Sequence, residues 1–153
     1  MINVSYRIEP ISVQVLLTAL NDGHIKQWRN LEIGRDVMQA DRASYITSIM
    51  AGIPILPLVF DGTKSPWIVL DGEKRFSLLL DFFHNKYPVF DSQYFSVGGE
   101  KYYRDLPMYL KRRFISTKIP CIVINPPTPE EAIARPVMVQ TTIVSQNVPV
   151  MLI

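Results

Sequence analysis

The fold is decided by one stretch of the chain, Trp67-Ile68-Val69-Leu70-Asp71-Gly72-Glu73-Lys74-Arg75-Phe76. Its first four residues are apolar and typical of a strand, whereas residues 76–83 have the periodicity of an amphipathic helix. A strand that turns at a glycine directly into a helix directs free backbone N–H groups, and the positive end of the helix dipole, at whatever lies above the turn. The stretch therefore predicts an α/β domain with an anion site at this turn.

The charges of the turn are consistent with a phosphate site. Asp71 fits the N-cap position of the helix, and Glu73 fits its first turn. Lys74 and Arg75 instead oppose the dipole, at roughly 0.3 to 1 kcal/mol each, and an anionic ligand would remove that conflict. The alternative is that both cations are solvated and that Arg75 forms an ordinary surface pair with Asp71 or Glu73. The sequence leaves both interpretations open.

Composition predicts one soluble domain. The 153 residues are 48% hydrophobic and 20% charged, enough for a core, so we expect a single domain over residues 1–153. The net charge of +2 permits contact with nucleotides or DNA without requiring it.

The single cysteine, Cys121, excludes an intramolecular disulfide and a cysteine-rich zinc site, and its apolar neighbours predict a buried thiol. No window is apolar over the roughly 18 to 20 residues of a membrane span, so we expect a cytoplasmic protein with no membrane partner.

Local patterns predict short helices that alternate with strands. In an N-terminal helix region over residues 1–20, Ser12 caps a helix that stops at Gly23. Asp41 caps a second helix, which ends at Gly52 and buries Tyr45, Ile46, Ile49 and Met50. Strands are predicted over 24–28, 67–70 and 118–124, with two short strands within 87–103. Residues 53–60 predict a strand whose first half, which carries two prolines, is an edge or pre-strand segment. A helix over 76–83 buries Phe76, Leu79, Leu80 and Phe83, and further helices begin at Asp105 and Thr128.

The C-terminal tail, residues 137–153, ends in an apolar run from Val148 to Ile153. Apolar termini are usually frayed unless they are docked. We therefore expect the tail to pair with the sheet, or to contact a second copy of the chain or another protein.

The sequence contains no common motif for transition metals or for nucleotides. It has two histidines without a metal-binding spacing, no P-loop and no glycine-rich dinucleotide fingerprint. A nucleotide pocket must therefore be of another design. Asp71, Glu73 and Asp81 are candidates to hold magnesium together with substrate phosphates, which is the usual way that this ion is shared.

Three ordered segments resemble a known family. They are Ser48-Ile49-Met50-Ala51-Gly52-Ile53-Pro54, similar to S-I-x-x-G-[IL]-P; Val69-Leu70-Asp71-Gly72-Glu73-Lys74-Arg75-Phe76, similar to I-D-G-Q-Q-R-L; and Tyr103-Arg104-Asp105-Leu106-Pro107, similar to Y-x-D-L-P. In this order they resemble the ParB/sulfiredoxin-like domain at the N-terminus of GmrSD-type modification-dependent restriction proteins. The resemblance implies a ParB-like α/β fold, with helices around a small mixed sheet, and nucleotide binding and hydrolysis linked to DNA restriction or defence.

The resemblance also implies roles for individual residues. Lys74 and Arg75 would neutralise phosphates, Gly72 would permit close backbone approach, and Asp71 with Glu73 would position magnesium or water as the catalytic pair.

Two further points follow from the family pattern. Ser48 and Arg35 are additional pocket candidates. Glu73 and Lys74 stand where the family has two glutamines, so the chain is expected to bind a nucleoside triphosphate with weak or partner-dependent hydrolysis.

Two other functions stay open. One is a DNA-binding module, and the other is a non-catalytic phage or bacterial interaction protein in which the turn is only structural. The DNA-binding alternative would use these cations and aromatic residues: Lys26, Arg29, Arg35, Lys111, Arg112, Arg113, Trp28 and Tyr109.

Overall fold

The computed structural model describes residues 5–27 and 39–125. Their elements follow in the order β1 (Tyr6–Ser12), α1 (Val13–Asn21), β2 (Ile25–Lys26), α2 (Gln39–Ala51), β3 (Leu58–Asp61), β4 (Trp67–Asp71), α3 (Glu73–Phe83), β5 (Val89–Phe90), β6 (Glu100–Lys101), α4 (Met108–Ser116) and β7 (Lys118–Ile124). A 3₁₀ turn over Tyr103–Asp105 precedes α4. The predicted mixture of helices and strands is confirmed as an α+β fold. The helix predicted from Thr128 and the C-terminal tail lie outside the described residues.

A five-stranded mixed sheet in the order β1-β7-β3-β4-β2 organises the fold. β1 is antiparallel to β7, β7 is parallel to β3, β3 is antiparallel to β4, and β4 is parallel to β2. Consequently the end of β4 and the start of β3 meet at the same edge of the sheet, with Val59 opposite Asp71. β5 and β6 form a separate two-stranded ribbon.

One core cluster joins all four described helices to β3, β4 and β7. Phenylalanine rings occupy its centre, because Phe82 contacts Phe114 with ring centroids 5.2 Å apart and Phe60 contacts Phe76 at 6.2 Å. The apolar face predicted for α2 is confirmed by the burial of Tyr45, Ile46, Ile49 and Met50. Cys121 is buried in β7, as predicted, and this burial raises the pKa of its thiol to about 12.

Several local predictions need correction. The N-cap of α3 is Gly72, not Asp71, and no side chain caps this end. α2 begins at Gln39, which places Asp41 in the first turn rather than at the cap. Within the expected N-terminal helix region, residues 6–12 form a strand, although Ser12 does cap α1 by accepting a hydrogen bond from the Val15 backbone N–H at 3.2 Å.

The buried face of α3 also differs from the predicted one. Phe76 and Leu79 are buried as expected. Leu78 and Phe82 are buried too, whereas the predicted Leu80 and Phe83 are only partly buried against the core. Other parts of the protein pack against more than one face of α3. A prediction based on a single apolar stripe therefore misses some of its buried residues.

Among the described residues, no helix is both long enough and apolar enough to cross a bilayer.

Candidate functional site

The turn between β4 and α3 is built around Gly72. Its φ of +93° is a left-handed conformation that L side chains rarely adopt. A Cβ at this position would lie 2.5 Å from Cδ2 of Leu58, the first residue of β3. The close approach that requires glycine here is therefore the approach of a neighbouring strand inside the protein.

Arg75, in the first turn of α3, is largely buried, with 12% of its side chain exposed. Its Nη1 donates to the backbone carbonyls of Leu56, at 2.9 Å, and Pro57, at 3.2 Å. Its Nη2 donates to Oδ2 of Asp71 at 3.5 Å, which is the pairing that the surface alternative anticipated. A guanidinium has more N–H donors than these three bonds use, so Arg75 can hold the segment before β3 and still donate to a ligand.

A cavity of about 650 Å³ lies beside Arg75. One wall is α2, whose lining residues recur at the spacing of a single helix face. The apolar segment 54–56 forms another part of the lining, and Arg75 completes the described lining. The α2 residues are Asp41, Ser44, Tyr45 and Ser48.

The structure brings two of the predicted site residues together, because Ser48 and Arg75 line the same cavity. Gly72, Glu73 and Lys74 are not part of its described lining. Lys74 is exposed, and Glu73 is half-buried.

The remaining predicted residues are placed differently. Asp71 is outside the described lining of the cavity and is paired with Arg75. Asp81 lies roughly two turns further along α3 and pairs with Nζ of Lys86 at 3.5 Å, so the helix carries it away from the turn. Arg35 lies outside the described residues. In residues 5–27 and 39–125, no group of three or more histidine, cysteine or acidic side chains could hold a metal ion.

Three cavity residues were not predicted as site residues. The sequence predicts Tyr45 on the apolar face of α2 and Asp41 at its cap, and it indicates no role for Ser44. The spacing of Asp41, Ser44 and Ser48 places three polar groups on one helix face, and this pattern could have indicated a polar wall. No comparable signal marks Tyr45, because a tyrosine on an apolar face is usually a core residue.

The described cations of the DNA-binding alternative lie on two elements, α4 and β2. On α4, Arg112 and Arg113 are exposed beside Tyr109, which is 62% exposed. Nζ of Lys111 lies 5.7 Å from the centre of the Tyr103 ring. Lys26 is exposed on β2, which is an edge strand of the sheet. Trp28 and Arg29 lie outside the described residues.

No family model, curated protein or solved structure matches the sequence.

Proposed function

We propose that the protein is a ParB-like nucleotide-binding protein, and that the nucleotide occupies the cavity between α2 and residues 54–56. The observation that carries the proposal is the state of Arg75. Its guanidinium is largely buried, fixed on one side by two carbonyls and Asp71, and in contact with the cavity. An arginine that is already held in place donates charge-assisted hydrogen bonds to a phosphate with little loss of conformational freedom.

The rest of the cavity fits a nucleotide in size and chemistry. Its volume of about 650 Å³ lies within the range of small-molecule pockets. The apolar wall at 54–56 offers a surface for a base or a sugar, and the hydroxyls of Ser44 and Ser48 can donate or accept hydrogen bonds.

Hydrolysis would require groups at the edge of this site. Magnesium is usually bound through one or two carboxylates together with substrate phosphates. Of the two carboxylates that the resemblance implies, Asp71 is 37% exposed and pairs with Arg75, so it is the first candidate to share such an ion, with Glu73 as the second. Because both are outside the described lining of the cavity, we propose weak or partner-dependent hydrolysis. A link to DNA restriction or defence is proposed from the resemblance alone.

Calorimetric titration tests the proposal. Nucleoside mono- and triphosphates are titrated into the full chain with and without magnesium. A cooperative thermal unfolding transition, measured on a separate sample, shows beforehand that the protein is folded. Ser48→Leu places a larger apolar side chain in the cavity and should weaken binding at least about tenfold, or about 1.4 kcal/mol.

Thr47→Leu is the matched control. Thr47 is half-buried on the same helix but is not part of the described cavity lining, so this variant should bind as the unmodified chain does. Folded protein that binds none of the nucleotides, or an undiminished affinity in Ser48→Leu, would reject the proposal.

A further inference from the structure

Tyr45 has a hydroxyl group that none of the described residues pairs with. The residue is 5% exposed, and its hydroxyl is buried without a hydrogen-bond partner among the described residues. An unpaired buried polar group costs about 1 to 3 kcal/mol, so most such groups are paired. Tyr87, buried to a similar degree, follows the rule, because its hydroxyl donates to the Leu78 carbonyl at 2.6 Å.

The position of Tyr45 connects it with the cavity and with Arg75. Tyr45 lines the cavity between Ser44 and Ser48 on the same face of α2. Burial raises the pKa of Tyr45 above its ordinary value, while the positive charge of Arg75 acts in the opposite direction. The hydroxyl therefore stays protonated at neutral pH and is a hydrogen-bond donor on a residue that lines the same cavity as Arg75.

The charges around the cavity limit the ligand. Within the described lining, Arg75 is the one cation and Asp41 the one acid, and Arg75 also faces Asp71. A triphosphate would place several negative charges near two carboxylates and one guanidinium. The lining therefore suits a single phosphate group, unless magnesium offsets the additional charge.

We propose that the Tyr45 hydroxyl and the Arg75 guanidinium donate to the same phosphate group of the nucleotide, which makes Tyr45 a specificity-determining residue for phosphorylated ligands. This inference depends on the proposed nucleotide site. The hydroxyl is shielded even from water in the free protein, so contact requires a side-chain adjustment at the cavity wall. Rotamer changes of this kind are common on binding.

The test compares two matched substitutions, Tyr45→Phe and Tyr87→Phe, in the full chain. Affinity for the four common nucleoside monophosphates is measured by calorimetry, and stability is measured by urea denaturation.

Tyr45→Phe should weaken monophosphate binding by about tenfold, the effect of losing one hydrogen bond to a charged group. It should leave the urea midpoint unchanged or higher, because it removes an unpaired buried hydroxyl. Tyr87→Phe should do the reverse, lowering the urea midpoint and preserving affinity.

Each outcome decides a different question. If the unmodified chain binds monophosphates and Tyr45→Phe binds them equally well, the inference is wrong and the nucleotide site stands. If Tyr45→Phe loses stability as Tyr87→Phe does, the hydroxyl has a structural partner and the inference is also wrong. If the unmodified chain binds no nucleotide, the proposed function and the inference fail together.

Discussion

Gly72 determines how closely β3 can approach the start of α3. With φ at +93°, a Cβ would lie 2.5 Å from Leu58 Cδ2 and 3.1 Å from Arg75 Nη2. We expect Gly72→Ala to lower the free energy of unfolding by about 1 to 3 kcal/mol through backbone strain, with a further loss because Leu58 must move. Urea denaturation followed by circular dichroism measures this change.

Gly23→Ala provides the control for that experiment. Gly23 has φ at +80°, but nothing lies within 4 Å of a Cβ placed there. This variant should therefore show the strain without the clash and be less destabilised than Gly72→Ala. Equal losses in the two variants would mean that the approach of Leu58 contributes nothing.

Arg75 combines a structural role with the proposed ligand role. Replacing it by alanine leaves the carbonyls of Leu56 and Pro57 without this donor and removes the partner of Asp71. We expect Arg75→Ala to lower the free energy of unfolding by about 1 to 3 kcal/mol, whereas Lys74→Ala, at the exposed neighbouring position, should stay within about 0.5 kcal/mol. Denaturation midpoints of the two variants check this difference.

The dual role of Arg75 also determines which variants can report on binding. A loss of ligand affinity in Arg75→Ala would not separate a lost phosphate contact from a displaced cavity wall. Ser48 and Tyr45 therefore carry the binding tests. An Arg75→Ala variant as stable as the Lys74→Ala control would show that the hydrogen bonds to the segment before β3 are unimportant.

Among the larger elements, the loop between β5 and β6 is organised by one carboxylate. Asp91 accepts hydrogen bonds from the backbone N–H groups of Gly99 at 2.8 Å, Val97 at 2.6 Å and Gly98 at 2.9 Å. These bonds favour the ionised form and lower the pKa of Asp91 to about 2. Because the folded pKa is depressed, the stabilisation is present above the ordinary pKa near 3.8 and is lost as the pH falls towards 2.

We therefore expect Asp91→Asn to reduce the pH dependence of unfolding between about pH 4 and pH 2. Urea midpoints measured across this window for the variant and the unmodified chain should converge at the acidic end. Parallel curves would show that the carboxylate contributes no pH-dependent stability.

Sequence patterns predict those elements whose signals are local. The sequence predicts the helix that Ser12 caps and the turn at Gly72 into α3. In both cases the signals, a cap or turn residue and an apolar periodicity, lie within a few residues of one another. The strand over Tyr6–Ser12 was not predicted, because it is defined by its pairing with Lys118–Ile124, more than a hundred residues away in the chain. Its solvent-exposed residues lack the clear alternation of a half-buried strand.

For the molecule as a whole, the candidate site depends on contacts between distant segments. The sequence identified Arg75 and Ser48 separately, one from the turn and the other from a resemblance. The cavity is lined by α2 and by residues 54–56, and Arg75 of α3 donates to the carbonyls of Leu56 and Pro57 before β3. No local pattern encodes that arrangement. The sequence therefore predicts the burial of Tyr45, which the structure confirms, but not its place in the cavity lining, and it leaves open whether Arg75 pairs with Asp71 or serves a ligand.

A titration of the ¹⁵N-labelled chain with a nucleoside monophosphate, followed by amide NMR shifts, would locate the ligand. We expect the largest shifts at residues 44–56, which include most of the cavity lining, and at residues 72–76 around Arg75, with saturation as the ligand is added. Saturable shifts confined to other surfaces, such as the exposed face of α4 around Arg112, or no shifts at all in the folded protein, would contradict it.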